Sequence, residues 1–150
     1  QTPNPKPQTP NPKPLSLSCL LSVHIMADYD ITLKCLIIGE ASVGKTVLTK
    51  RYLKDEFIAD TLPTIGNDYY KQERTIDGLH FLVQFWDTAG QEKLGCLRDG
   101  YYIGAHGAIL MFDVCARITY QNVPKWHKDF TRVCPDAFVV LVGNKVDVKE

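Results

Sequence analysis

Leu36-Ile37-Ile38-Gly39-Glu40-Ala41-Ser42-Val43-Gly44-Lys45-Thr46 decides the fold of this chain. It passes from an apolar stretch, through a loop bounded by glycines, into a stretch of helical character. Gly39, Gly44, Lys45 and Thr46 keep the spacing G-x-x-x-x-G-K-[ST], which is the spacing of a phosphate-binding loop. Such a loop wraps a phosphate so that successive backbone N–H groups point inward, and glycines at both ends permit the tight path. The helix that follows offers its positive end to the anion. Lys45 can reach the terminal phosphates, and the Thr46 hydroxyl can ligate Mg²⁺.

The 150 residues suffice for one domain. Lys and Arg total 17 and Asp and Glu total 17, so bulk electrostatic attraction to nucleic acid or to an anionic membrane is not indicated. A hydrophobic fraction of 45% is that of a globular protein. The five cysteines are odd in number and lack C-x-x-C spacing. They read as reduced intracellular thiols, mostly core fillers, with no zinc site.

Residues 1–14 are two copies of Gln-Thr-Pro-Asn-Pro-Lys-Pro. Few donors and almost no apolar side chains predict a disordered or polyproline-like tail. Leu15 to Met26 is moderately apolar and faintly resembles a signal peptide. Serines interrupt it, no A-x-A site follows, and it is too short to span a bilayer. Met26 can be a natural start, with residues 27–30 as a lead-in. The expected division is thus a tail and lead-in over 1–29 and a folded domain over 30–150.

Ile31 to Gly39 predicts a strand buried on both faces. Gly44 to Lys54 predicts a helix. Asn67 to Ile76 and His80 to Trp86 predict strands joined by the hairpin signal Asp77-Gly78. Asp87 to Gly90 is expected as a loop and Glu92 to Gly104 as an irregular helix. Ala108 to Val114 and Phe138 to Val142 predict further strands. Thr119 to Val133 predicts one helix, capped by Thr119, with Val123, Trp126, His127, Phe130 and Val133 on one side. Strands alternating with helices give an α/β fold, a doubly wound and mostly parallel sheet with one hairpin.

In such sheets ligands bind where strands end in loops. Asp87 closes a strand and opens Asp87-Thr88-Ala89-Gly90-Gln91-Glu92. An acidic residue there can hold Mg²⁺, the Gly90 N–H can approach a terminal phosphate, and the Gln91 amide can orient an attacking water. Thr64, in Pro63-Thr64-Ile65-Gly66, can complete the metal shell with its hydroxyl and meet the γ-phosphate with its N–H. In Asn144-Lys145-Val146-Asp147, the Asp147 carboxylate can accept two N–H groups from guanine, hydrogen bonds that adenine does not supply. The Lys145 stem is expected along the base, and Asn144 is expected to tie this loop to the phosphate loop.

Together these motifs resemble the small GTPases, over about Ile31 to Glu150. The runs Trp86 to Gly95, Leu97-Arg98-Asp99-Gly100-Tyr101-Tyr102-Ile103, Met111 to Val114, Asn122-Val123-Pro124-Lys125-Trp126-His127 and Arg132-Val133-Cys134 are similar to the Ran branch, the nuclear-transport GTPases. The resemblance implies a P-loop G domain that binds GTP or GDP with Mg²⁺. Nucleotide contacts are implied for Gly39, Glu40, Ala41, Ser42, Val43, Gly44, Lys45, Thr46, Val47, Phe57, Thr64, Asp87, Ala89, Gly90, Asn144, Lys145 and Asp147. Metal ligation is implied for Thr46, Thr64 and Asp87, and catalysis for Gln91. Phe57 matches the aromatic that packs on the guanine, its alternative being a loop–core aromatic. Met111, Trp126 and His127 are expected in the core or on a partner surface. Importin- and exportin-type receptors, an exchange factor and an activating protein are the implied partners, in nucleus and cytoplasm.

The sequence departs from that branch in three ways. Ala41-Ser42 stands where Ran-type chains have two glycines, which is expected to slow hydrolysis. Pro63 to Gly66 looks more like Rab- or Ras-type relatives. The family continues past this point with a helix, a strand bearing a Ser-Ala-Lys loop, and a final helix, so an incomplete domain with a hydrophobic edge at Val139 to Val142 is expected. A Rab-type traffic GTPase, a non-hydrolysing GTP-bound adaptor and a non-functional fragment stay open as alternatives.

Overall fold

The computed structural model describes residues 29–58, 62–90 and 95–148, without the side chains of 95–98. The expected tail and lead-in over 1–28, and the catalytic candidate Gln91, lie outside the described residues.

Five strands form one sheet: β1 (Ile31–Gly39), β2 (Asn67–Ile76), β3 (Leu79–Thr88), β4 (Gly107–Asp113) and β5 (Phe138–Asn144). Their order is β2-β3-β1-β4-β5. The β2–β3 pair is antiparallel and joined at Asp77-Gly78, where Ile76 pairs with Leu79; the other pairs are parallel. The helices are α1 (Lys45–Lys54), α2 (Gly95–Tyr102), α3 (Arg117–Gln121) and α4 (Val123–Val133). This is the expected α/β architecture.

β1 is central, and its alternation builds two cores. Leu36 and Ile38 join Tyr102, Leu110, Trp126 and Phe130 beneath α2 and α4. Ile37 joins Val43, Phe85 and Met111 on the α1 side, with Leu48 and Leu53 packed against them. Burial of both faces explains the unbroken apolar run in β1. The Tyr102 and Phe130 rings meet edge-on at 5.4 Å. Met111 is a core residue, 1% exposed.

Three expectations are corrected. The helix expected over Thr119 to Val133 is two helices broken at Asn122. Pro124 lacks an N–H, and its ring would strike the carbonyl four residues back in a continuous helix. Thr119 is therefore not the cap; it is buried, accepting from the Asp113 N–H at 3.0 Å and donating to the Ala116 carbonyl at 2.7 Å. His127 does not share the core side with Trp126 and Phe130 but is exposed. β3 also outruns its expected end at Trp86. Asp87 and Thr88 still pair with Asp68 and Asn67 of β2, so Asp87 sits on the sheet and not in a loop.

β5 pairs with β4 along one edge, and Phe138, Val140 and Leu141 are at least half exposed.

Candidate functional site

Because β1, β3, β4 and β5 are parallel, the loops after Gly39, Thr88, Asp113 and Asn144 gather at one end of the sheet. A cleft of about 300 Å³ opens there. It is lined by Ala41, Ser42, Gly44, Lys45, Thr46 and Val47 from the first loop and α1. Across it stand Thr64, Gly90 and Lys145, with Leu62, Pro63 and Thr88, which were not foreseen.

Lys45 is only 6% exposed. Its ammonium donates to the carbonyls of Gly39 at 3.0 Å and Glu40 at 2.7 Å, which stretches it along the loop toward the cleft. Burial lowers its pKa to about 8, against the nearby carboxylates of Asp87 and Glu40, which hold it up. Gly90 faces the loop so closely that a Cβ there would lie 2.3 Å from the Ala41 nitrogen and 2.5 Å from the Glu40 carbonyl carbon. Only glycine fits.

The metal candidates also converge. Register places Asp87 beside Ile37, beneath the loop. Asp87 is fully buried, and among the described residues neither of its side-chain oxygens makes a hydrogen bond of full geometry, the Thr46 hydroxyl being near enough only to act on its pKa. Burial raises its pKa, against the Thr46 hydroxyl and the Lys45 charge. A buried carboxylate left open in this way has room for a water or a cation as partner. The Thr46 and Thr64 hydroxyls lie 2.9 Å apart. Adjacent oxygens around an octahedral Mg²⁺ at ~2.05 Å are about 2.9 Å apart as well. Thr46, Thr64 and Asp87 therefore fit a hard divalent ion, which would supply positive charge against phosphate oxygens.

The fourth loop is tied to the first. The Asn144 amide donates to the Val43 carbonyl at 2.8 Å, and a Cβ on Gly44, whose φ is 97°, would fall 2.3 Å from that amide. Lys145 lines the cleft and its ammonium pairs with Asp113 at 2.7 Å. Burial pushes the Asp113 carboxyl up, but the Lys145 hydrogen bond, the Cys115 N–H and the Lys145 charge together hold it below its usual value. A turn closed by the Val148 N–H on the Lys145 carbonyl carries Asp147, which is exposed. Phe57 is 70% exposed and is not a core aromatic.

Gly39, Val43 and Ala89 are buried and shape the site from below. Glu40 behaves differently: its side chain turns from the cleft and accepts from the Asn122 amide at 2.9 Å and the Trp126 indole at 3.1 Å. Nothing local in the sequence signals that contact.

A family model for the Ras family matches residues 34–150. The chain belongs to the Ras family. The Ras family consists of small GTP-binding switches, which use GTP, GDP and Mg²⁺ and hydrolyse GTP. In this Ras-family chain the loops described above bring a buried lysine, a buried carboxylate and a separate loop carrying an exposed carboxylate to one end of the sheet.

Proposed function

We propose that this chain is a Ran-type GTP/GDP switch. Three of the segments similar to the Ran branch pack together, with Tyr102, Trp126 and Cys134 in one buried core cluster. Arg132 pairs with Asp99 at 2.6 Å, and the Cys134 thiol lies 3.0 Å from the Tyr102 carbonyl. That clustering is the observation that carries the reading, because residues scattered through the sequence act here as one unit.

In this reading Lys45, Gly44 and the N–H groups of residues 40–47 hold the phosphates. Thr46, Thr64 and Asp87 hold Mg²⁺, Gly90 meets the γ-phosphate, and Gln91 orients the water. Asn144, Lys145 and Asp147 read guanine, with Phe57 against the base. No motif places an arginine in cis to neutralise the transition state, so turnover is slow until an activating protein supplies one. Transport receptors of the importin and exportin kind, an exchange factor, and a nuclear and cytoplasmic distribution follow from the Ran-type assignment.

The Rab-type alternative is favoured by Pro63 to Gly66, where Ile65, with Leu62 just before it, is exposed (94% and 89%) and offers a partner surface. Purified importin-type receptor, presented with the chain loaded with non-hydrolysable GTP or with GDP, separates the two. GTP-dependent capture supports the Ran-type assignment; equal, background binding of both forms removes it.

A further inference from the structure

We propose that Asn122 and Trp126 clamp Glu40 and thereby hold the phosphate loop in shape, setting how long a nucleotide stays bound. The clamp rests on the guanine-nucleotide reading of the cleft and adds two positioning residues to it, neither of which touches the ligand.

Asn122 and Trp126 lie four residues apart across the start of α4, a spacing that stacks side chains on one face. Both donate to the same oxygen, Glu40 Oε1, from 82 and 86 residues away. Asn122 occupies the N-cap position of α4 but makes no capping bond to it. Its amide, a favoured cap, is used on Glu40. Trp126 is 5% exposed, and a buried indole N–H calls for an acceptor.

The backbone of Glu40 carries the contacts that matter to the cleft. Its carbonyl accepts from the Lys45 ammonium at 2.7 Å. The Glu40–Ala41 peptide is the surface against which Gly90 packs without room for a Cβ. A side chain fixed from α4 therefore fixes, through one residue, the lysine that meets phosphate and the loop that follows Asp87. Releasing the side chain frees that peptide to rotate and lets both partners drift.

The test is the release rate of mant-GDP from the Mg²⁺-loaded 150-residue chain. Trp126→Phe keeps the packed ring and removes only the N–H; Asn122→Ala removes the second donor. Each is expected to speed release on the order of tenfold, as for a lost hydrogen bond to a charged group. In a Glu40→Ala background, Trp126→Phe is expected to add nothing, a non-additivity that general loss of packing does not produce. Should Trp126→Phe fail to fold by circular dichroism, the Asn122→Ala and Glu40→Ala pair completes the same cycle. Unchanged release, or full additivity, in chains that bind mant-GDP overturns the clamp alone. Absence of mant-GDP binding by the parent chain overturns the guanine-nucleotide reading and the clamp with it.

Discussion

The hydroxyls of Thr46 and Thr64 meet at 2.9 Å, although one begins a helix and the other lies in a loop across the cleft. Two oxygens held at the edge length of a Mg²⁺ octahedron, with the Asp87 carboxylate near Thr46, need little rearrangement to receive the ion. Thr64→Ala and Asp87→Asn are each expected to raise the Mg²⁺ concentration for half-maximal mant-GTP retention by at least about tenfold. Thr46→Ser, which keeps the hydroxyl, is expected to leave it nearly unchanged. A titration of Mg²⁺ against retained fluorescence reads all three, and equal midpoints would remove these residues from the metal shell.

Lys45 makes the nucleotide-free fold gain stability as the pH rises into the alkaline range. In the unfolded chain its ammonium keeps its proton up to the ordinary value of 10.5, but in the fold burial brings the pKa to about 8. Between those values the unfolded state binds more protons, so the Lys45 contribution makes stability rise with pH through that window. The full gain is on the order of 3 kcal/mol. Lys45→Met, which cannot titrate, is expected to flatten the rise in urea midpoints between pH 8 and 9.5. Bound GDP, whose phosphates favour the charged lysine, is expected to flatten it as well. A parent chain whose midpoint gains no more across that range than the Lys45→Met variant's contradicts the assignment.

The first loop was legible because phosphate binding fixes residue types at neighbouring positions, so Gly39, Gly44, Lys45 and Thr46 signal together. Asp87 to Gly90 and Asn144 to Asp147 were legible for the same reason. The end of β3 was not. Asp87 is a weak strand former on its own, and pairing with Asp68 keeps it in the ladder, as pairing with Asn67 keeps Thr88. The break at Asn122 was only half visible: Pro124 marks it, but the short helix over Arg117–Gln121 depends on the buried contacts of Thr119 with Asp113. The contact of Glu40 with Asn122 and Trp126 had no local signature, since a side-chain bond between distant segments imposes no period on either. Gln91 is as clear in the sequence as Asp87, yet it lies outside the described residues.

Asp147 tests base choice. It is exposed at the tip of a turn whose position is set by the Asn144 bond to Val43. Two hydrogen bonds from guanine to a carboxylate are worth enough that their loss costs on the order of a hundredfold in affinity. Asp147→Ala is expected to reduce GDP affinity by about that factor while leaving ADP affinity unchanged. Competition of both nucleotides against mant-GDP measures it. A variant that still prefers GDP as strongly as the parent would move base recognition to another residue.

Ala41 tests timing. Its methyl belongs to a loop that already touches Gly90: a Cβ on that glycine would fall 2.6 Å from the Ala41 Cα. Ala41 also lines the cleft, so its side chain takes space beside the strand end that leads to Gln91. Hydrolysis needs the water and the γ-phosphate in a narrow range of positions, and displacement by as little as about 1 Å can cost a hundredfold. Binding is less demanding, because the backbone N–H groups of the loop are present with either residue. Ala41→Gly is therefore expected to raise the single-turnover rate of GTP hydrolysis several-fold and to leave mant-GTP affinity within about threefold. A rate that does not rise would mean that the methyl lies clear of the reacting atoms.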